Sequence, residues 1–390
     1  MKHQAMFSSV CGSRKWGVAA LAFGLCVSSA FAANTWWVAK EDPNASDSNA
    51  GTEEAPFRTI QAALDNPNFA VGDTVNVKRG VYDEGASISA TTVISNRVLI
   101  TKACHLVGVE GAVVTHIVGA RSPGSTASYG RGDYATRCIF VDSAARTADM
   151  VIEGFTLRDG VTGGDSVDTL KNHGGALYSN DGKYPLVIDC VISNCAAYKG
   201  AALRGGTSIR CYIVDNWSMS SGVAFSSGQS YACIIARCNG GSAISSATAV
   251  NCTFYNNNSS RFAEGSAKLY NCLAIDCGTI STNTSGRVGN CVFTRDAGVN
   301  RLQIVGPAAD DWRPVAGEVA ATAGTGSWAT QLSASAYRYK DFYGQTIPSS
   351  GTIAVGAVQE TAEVVAGGIA FKSSGVTGMA VDGHPISHSS

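Results

Sequence analysis

The sequence predicts an all-β fold, a right-handed parallel β-helix in which short strands stack in coils of about twenty residues. The first observation is a period, because six cysteines recur at intervals of 21, 22, 19, 20 and 19 residues. A fixed period near twenty is typical of repeat architectures. The right hand follows from the strong preference of parallel crossover connections for that hand. The six positions are Cys190, Cys211, Cys233, Cys252, Cys272 and Cys291.

The second observation is a glycine-led phrase that follows the same period. Eleven residues before three of the cysteines stand Gly200-Ala201-Ala202-Leu203, Gly222-Val223-Ala224-Phe225 and Gly241-Ser242-Ala243-Ile244. Each repeat is therefore predicted to contain two short strands, the second within the cysteine phrase, joined by Gly, Ser and Asn turns. No helical periodicity lies between them, which excludes a parallel sheet covered by helices.

The repeated cysteines are interpreted as inward packing groups. Stacked coils lie about 4.8 Å apart, so an inward side chain packs on its equivalents above and below, which favours small apolar groups. Cys195, Cys238 and Cys277 are two coils apart, about 10 Å, which is beyond disulfide reach. The sequence contains no Cys-x-x-Cys motif and no histidine cluster, which are the patterns that would indicate a metal site. We therefore predict reduced thiols, with a disulfide framework as the alternative for an exported protein.

Composition excludes one class of partner. The 390 residues suffice for one extended repeat domain with appendages. Charged residues make up 15% of the chain and the net charge is −1. No basic cluster is present to neutralise phosphates, so nucleic acid is excluded as a partner. We expect a monomer.

The N-terminus is predicted to be a signal peptide covering residues 1–32. Lys2, Arg14 and Lys15 precede an apolar stretch over 16–27, and small residues at 30–32 fit a cleavage site. No later segment reaches the roughly 20 apolar residues that a membrane helix needs. The mature protein is therefore expected to be secreted, or held in the periplasm or at the bacterial cell surface.

The β-helix is predicted to cover residues 33–360. Its parts are an N-terminal capping region at about 36–72, regular coils at about 174–300 and a closing segment at about 301–360. Phe57, Ile60, Ala63 and Leu64 follow a helical spacing, which predicts a short capping helix. Residues 361–390 are a linker or an incomplete second module.

Several phrases carry a resemblance to a known group. The runs Gly72-Asp73-Thr74-Val75 and Gly80-Val81-Tyr82 are followed by Ile152-Glu153-Gly154-Phe155-Thr156-Leu157 and, near the end, by Asp311-Trp312-Arg313-Pro314. Together they resemble bacterial right-handed parallel β-helix proteins of the pectate lyase-like superfamily, over residues 36–359. The resemblance implies the fold specifically and a function only weakly.

Two loops are predicted to carry function, because a β-helix buries its strands. The first, 119–137, mixes arginines with tyrosines that could stack on sugars and pair with uronate carboxylates. Its candidate glycan-binding residues are Arg121, Tyr129, Arg131, Tyr134 and Arg137. The competing interpretation is an ordinary solvated loop, since such residues are common on surfaces.

The second loop, 160–173, contains Asp165 and Asp168, which are candidate ligands for calcium, the one cofactor considered. Lys171 is a candidate general base beside them. The other candidate catalytic residues are His173, Lys199 and Arg204. Lyases of the resembling superfamily use such a combination, but their dense aspartate clusters are missing here, and so are the paired-Asp and Gly-His-Gly signatures of the galacturonases. The alternative is polar loop residues without catalytic duty.

Two functions follow from these observations. The first is an exported, non-catalytic, adhesin-like surface β-helix that presents faces and loops to glycans, either polysaccharides or cell-surface glycans, or to other cells. The second is a polysaccharide lyase or hydrolase that acts on acidic, uronate-containing polymers. The missing catalytic signatures favour the first.

Overall fold

The computed structural model describes most of the chain after residue 32. The described residues are 33–88, 94–164, 169–180, 182–257, 261–280, 289–295, 298–299, 303–304, 311–359 and 361, with the backbone of 305–306, 364–365, 368–369, 380–381 and 384–385. The predicted signal peptide at 1–32 lies outside them.

Three sheets of nine strands each run the length of the described coils, and their neighbouring strands are parallel apart from one terminal pair in the third sheet. The first sheet contains Thr35–Val38, Thr74–Val77, His105–Gly108, Val151–Glu153, Leu186–Ile188, Thr207–Ile209, Gln229–Tyr231, Thr248–Val250 and Lys268–Tyr270. The second contains Gly80–Tyr82, Thr115–Val118, Thr156–Arg158, Val191–Ser193, Tyr212–Val214, Ile234–Ala236, Thr253–Tyr255, Leu273–Ile275 and Val292–Phe293. The third contains Ser87–Ile88, Ser95–Ile100, Thr136–Val141, Leu177–Tyr178, Leu203–Arg204, Phe225–Ser226, Ile244–Ser245, Arg261–Glu264 and Thr279–Ile280.

A short fourth sheet, the side sheet, lies between the second and third sheets in three successive coils. Its strands are Ala196–Ala197, Trp217–Ser218 and Asn239–Gly240. The described antiparallel pairs after the coils are Ile304–Gly306 with Asp311–Pro314, Gly324–Thr325 with Thr352–Ile353, Val364–Val365 with Gly368–Ile369, and Ala380–Val381 with His384–Pro385. The fold is therefore the predicted right-handed parallel β-helix.

The prediction of two strands in each repeat was wrong, because a coil contains three main strands. One coil runs through Leu186–Ile188, Val191–Ser193 and Leu203–Arg204 before it returns to the first sheet. Each cysteine of the period lies at the corner between the first two strands and not within one, directly after a residue with left-handed backbone such as Asp189, whose φ is 50°. A single left-handed residue turns the chain without a glycine or proline signal, so the strand before each cysteine escaped prediction.

The period cysteines occupy equivalent places in successive coils, because the strands that follow them pair in register, as Val191 does with Tyr212 and Tyr212 with Ile234. The amide of Cys211 donates to the Sγ of Cys233 at 3.3 Å. The eleven cysteines among the described residues are free thiols, and ten of them are buried. The interpretation of these cysteines as inward packing groups, and their redox state, stay predictions.

A second inward position alternates cysteine with asparagine. The side-chain oxygen of Asn216 accepts from the amide of Cys195 at 2.9 Å, and its Nδ2 donates to the carbonyls of Ile192 and Val214 at 2.9 and 3.0 Å. Asn257 lies two coils further along the column, with Cys238 between the two asparagines. Its side-chain oxygen accepts from the amide of Cys238 and its Nδ2 donates to the carbonyl of Ile235, both at 3.0 Å. These buried amides satisfy corner backbone groups that would otherwise lose their hydrogen bonds.

The closing segment packs against the outside of the coils. Side chains that alternate with the inward ones on the first and second sheets are apolar and form two outer clusters. Trp312 packs on Tyr212 and Tyr255 of the second sheet, with ring centroids 6.0 and 5.7 Å apart. On the first sheet, Tyr231 accepts a hydrogen bond at its hydroxyl from the amide of Tyr339 at 2.9 Å. Residues 311–359 therefore cover the outer faces of these two sheets in the later coils, which contain Tyr212, Tyr231 and Tyr255.

The helices are short. The α-helix Ile60–Leu64 buries Ile60, Ala63 and Leu64, as its spacing predicted, and its capping role stays a prediction. The described 3₁₀ turns are Ser128–Gly130, Ser143–Ala145, Leu170–Asn172, Val319–Ala321, Gly326–Gln331 and Ser335–Tyr337. In the part of the chain that the structure describes, no helix is long and apolar enough to cross a membrane.

Candidate functional site

The two loops singled out in the sequence lie against each other. The amide of Gly132 in the first loop donates to the carbonyl of Thr162 in the second at 3.1 Å. Lys171 places its Nζ 3.7 Å from the Oδ1 of Asp133. We call the surface formed by residues 119–137, 160–164, 169–173, 196–199 and 217–219 the loop face. It combines most of the residues that the sequence assigned to two separate loops.

The second loop leaves the coil where two backbones come close together. A Cβ on Gly160 would lie 2.2 Å from the carbonyl oxygen of Gly175, on the far side of the second loop in the same coil. No side chain fits at that distance, so glycine is required here. The amide of Ala196 in turn donates to the carbonyl of Gly160 at 2.9 Å, which ties the start of the second loop to the side sheet.

The centre of the loop face is an aromatic stack between Tyr129 of the first loop and Trp217 of the side sheet. Their ring centroids are 4.6 Å apart, with 23° between the planes. Tyr129 is 45% exposed and has left-handed backbone, with φ 62° and ψ 20°. Such a conformation is uncommon for a bulky residue and is often found at functional sites. The stack therefore presents an aromatic surface to solvent from a constrained backbone.

Arg131 connects the stack to its surroundings. Its guanidinium carbon lies 5.3 Å from the centroid of the Trp217 ring, within range of a cation–π interaction. Its Nη2 is 3.5 Å from the sulfur of Met219, a side chain that is 45% exposed. Arg131 itself is 4% exposed. It therefore contacts the Trp217 ring of the stack and offers little of its own surface to a ligand.

A second ring pair lies at the end of the second loop. The ring of His173 stacks on Tyr198 with centroids 6.3 Å apart and 17° between the planes. The backbones are joined, because the amide of Tyr198 donates to the carbonyl of Asn172 at 2.7 Å and that of Gly174 to the carbonyl of Lys199 at 3.1 Å. Tyr198 and Lys199 are half-buried, whereas His173 is buried.

The remaining predicted glycan-binding residues divide into two groups. Arg121 and Tyr134 are exposed, Tyr134 by 79%. Arg137 is fully buried, and its guanidinium donates to the carbonyls of Gly174 and His173 and to the side chain of Asn96. A buried guanidinium cannot contact a glycan, so the structure removes Arg137 from the predicted contacts. Burial also lowers the pKa of Arg137, to about 9.

The predicted catalytic and metal residues are only partly brought together. Lys171 and His173 lie on the loop face, and Lys199 lies beside them. Arg204 turns toward the next coil, where its Nη1 donates to the hydroxyls of Ser226 and Ser227 at 3.1 and 3.0 Å. The two aspartates predicted to bind calcium, Asp165 and Asp168, lie outside the described residues, and the described residues contain no group of three or more His, Cys, Asp or Glu that could hold a metal ion.

Sequence reasoning missed Trp217, Tyr198 and Met219. A signal for Trp217 was available, because aligning the coils places Ala196, Trp217 and Asn239 at one repeated position. A tryptophan between two small residues breaks the regularity of a stacked column. A Cβ on Gly240 would also lie 3.2 Å from the Nε1 of Trp217, so a larger residue at that position would crowd the indole.

The fold and the loop face define the class of this protein: it is a right-handed parallel β-helix with loops gathered beside a side sheet. No known protein family and no curated protein matches the chain. Its fold is similar to that of a rhamnogalacturonan lyase, at 14% identity over 62% of this chain and 68% of that one, with a TM-score of 0.34.

Two further solved structures share the fold. Pectin methylesterase PemA from Erwinia chrysanthemi is 16% identical over 67% of this chain and 78% of that one, with a TM-score of 0.33. Pectate lyase Pel9A is 11% identical over 84% and 96%, with a TM-score of 0.41. At these identities the likeness concerns the fold alone.

Proposed function

We propose that this protein is an exported, non-catalytic surface β-helix that binds glycans through its loop face. The observation that carries the proposal is the exposed stack of Tyr129 on Trp217. Flat aromatic rings provide a large, rigid contact area at little cost in conformational entropy, and they suit ligands that are partly apolar and partly hydrated. The apolar face of a sugar ring has this character.

The charges around the stack favour acidic glycans. Three cationic residues belong to the loop face: Arg121, whose side chain lies beside Gly130, Lys171, which is ion-paired with Asp133, and Lys199, whose backbone pairs with that of His173. Arginine and lysine pair with carboxylate and sulfate groups, arginine through a planar fork of donors. A ligand that stacks on Tyr129 could therefore reach cationic partners through its acidic substituents.

The proposal of a non-catalytic role is supported by the arrangement of the candidate bases. The Nζ of Lys171 lies 3.7 Å from the Oδ1 of Asp133, so the lysine forms an ion pair between the two loops. Arg204 is engaged with two serines of the next coil. Both side chains therefore contact the protein itself: Lys171 the first loop, and Arg204 the next coil. Export is supported by the predicted signal peptide at 1–32.

A lyase remains the second candidate, because one observation favours it. Lys171, His173 and Lys199 lie together at the end of the second loop, beside the second ring pair. A base in that position would be near a glycan that stacks on the aromatic face. If the protein is a lyase, Lys171→Ala or Lys199→Ala abolishes elimination while the coil stays folded, since loop side chains contribute little to the core.

The test is binding and turnover on the same acidic glycans, namely pectate, alginate and chondroitin, each supplied with calcium. We expect the wild type to bind at least one of them without producing the absorbance of unsaturated uronates. Trp217→Ala should weaken binding about tenfold, equivalent to about 1.4 kcal/mol. The matched control is Trp37→Ala, which removes a half-buried tryptophan beside Lys78 in the strand at the N-terminal edge of the first sheet.

Three outcomes contradict the proposal in different ways. Elimination that is lost in Lys171→Ala or Lys199→Ala establishes the lyase. If Trp217→Ala and Trp37→Ala lose binding equally, the ligand does not bind specifically at the loop face. No binding to any glycan removes the glycan function altogether.

A further inference from the structure

Arg137 connects the ends of the two loops that form the loop face. It belongs to the strand Thr136–Val141, which follows the first loop directly, and it is fully buried. Its Nε donates to the carbonyl of Gly174 at 2.6 Å and its Nη2 to the carbonyl of His173 at 2.7 Å. These carbonyls belong to the last residue of the second loop and to the residue that follows it. One side chain therefore joins the last residues of both loops.

The guanidinium is fixed in place from its other side. Its Nη1 donates to the Oδ1 of Asn96 at 2.6 Å, and Asn96 is itself buried and donates to the carbonyls of Ser87 and Ile94. The rings of Phe140 and Tyr178, stacked 5.2 Å apart, lie 5.7 and 5.3 Å from the guanidinium carbon. A planar fork held this way fixes the direction of each hydrogen bond, which a lysine ammonium cannot do.

The position of the second loop's end determines the second ring pair. The ring of His173 packs on Tyr198, and the amide of Tyr198 donates to the carbonyl of Asn172 at 2.7 Å. A shift of the His173 carbonyl therefore moves Tyr198 and the adjacent Lys199. Because Gly132 and Asp133 of the first loop contact Thr162 and Lys171 of the second, the same shift reaches the first loop.

We propose that Arg137 is a positioning residue of the glycan site, which sets the two loops in the arrangement that binds ligand. The inference rests on the proposed function for its ligand, but the positioning itself is measurable without one. Hydrogen bonds from a buried charged donor to neutral carbonyls are among the stronger polar contacts in a protein. Their loss should release the loop ends while the stacked coils stay intact.

The experiment compares Arg137→Lys and Arg137→Met with Arg146→Lys. Arg146 is the matched control, because its guanidinium also lies near the Tyr178 ring, at 5.9 Å, but donates to Val141 and not to the loops. Amide hydrogen exchange reports the loops and the coils separately. We expect faster exchange at 129–134 and 170–174 in both Arg137 variants and unchanged exchange over the coil strands of 186–275. The control should leave all of these unchanged.

Binding to the glycan that the wild type recognises gives the second readout. We expect Arg137→Met to weaken binding about tenfold and Arg137→Lys to recover part of the loss, since the ammonium can satisfy one carbonyl. Exchange that rises uniformly through the coils of Arg137→Lys, or loops unchanged in both variants, overturns the inference. A wild type that binds no glycan ends the proposed function, while the exchange result still decides whether Arg137 positions the loops.

Discussion

The outer faces of the first two sheets and the loop face are both rich in aromatic side chains, yet they differ in what covers them. On the covered side, Trp312 of the closing segment and Tyr231 of the first sheet are 1% and 0% exposed. Trp312 packs on the second sheet, and Tyr231 is hydrogen-bonded to the closing segment. On the loop face, Tyr129 and Tyr134 are 45% and 79% exposed. Aromatic content alone therefore does not identify a binding surface. The informative observation is large apolar area that the described chain leaves open to solvent.

The largest expected effect is on the covered side. Trp312→Ala removes a buried ring that packs on Tyr212 and Tyr255, and such truncations cost about 3–5 kcal/mol. Trp217→Ala should cost much less stability, because its ring is partly exposed, and should act on binding instead. Urea unfolding of both variants, followed by circular dichroism, measures the difference. Equal losses of stability would mean that Trp217 is part of the folded core, and that the loop face does not differ from the covered faces in this respect.

A pH dependence is expected from the buried thiols. Burial raises the pKa of Cys104 and Cys238 from the ordinary 9.0 to about 12, and that of Cys277 to about 11. The unfolded chain therefore loses these protons first as the pH rises, so the stability that each thiol contributes is complete below pH 9 and falls through the folded pKa. Within that window the slope is about 1.4 kcal/mol per pH unit for each thiol.

The measurement is the free energy of unfolding at several pH values from about 8 to 11, with thiols kept reduced. Cys238→Ala is the control, since it removes one titrating thiol and should lower the dependence of the unfolding free energy on pH by about 1.4 kcal/mol per pH unit. A free energy that stays flat over this range would contradict the prediction, because it would mean that folding does not raise the pKa values of these thiols. Tyr82 and Tyr231, with pKa values raised by burial to about 12, follow the same sign at higher pH.

The fold was predictable because the period places equivalent side chains above one another, so one recurring cysteine identified the stacking direction. The strand before each cysteine was not predicted. Arg210 and Ala232 turn the chain with left-handed backbone although neither is a typical turn residue, and at the other four corners the turn is marked only by a single Asp or Asn. The loops were found from their polar content. Trp217, which contacts the first loop, was not found from the sequence. Contacts between this part of the side sheet and the loop, such as that of Arg131 with Met219, join residues 88 positions apart and depend on how the coils are aligned.

Single residues were harder to predict than loops. The sequence presented Arg137 as one more arginine in a polar loop, although the structure buries it entirely. Nothing local distinguishes it from Arg121, which is exposed. The difference arises because strand Thr136–Val141 pairs with Ser95–Ile100, and so brings Asn96 opposite Arg137. A predicted loop boundary one residue shorter would have placed Arg137 in the strand.

A smaller effect is expected from the interior cysteines. Cys233→Ala and Cys252→Ala each leave a small void in a buried column and should cost about 1 kcal/mol. Both thiols should react with an alkylating reagent only after unfolding, because their side chains are fully buried. Intact mass after alkylation under denaturing, non-reducing conditions counts the free thiols. A count well below eleven would show that disulfides, and not packing, hold the column.

The smallest effect is expected at the rim of the loop face. Asp133 is 3.7 Å from Lys171 and its side chain is 76% exposed, and exposed ion pairs of this kind contribute about 0.5 kcal/mol or less. Asp133→Asn should therefore leave the unfolding free energy almost unchanged. It also removes a negative charge from the loop face, so affinity for an acidic glycan should rise about twofold at low salt. The gain should vanish at high salt, where screening weakens the charge effect. Titrations with acidic and neutral glycans at two ionic strengths test this. A gain for the neutral glycan as well, or one that persists at high salt, would mean that Asp133 acts by shaping the first loop and not by its charge.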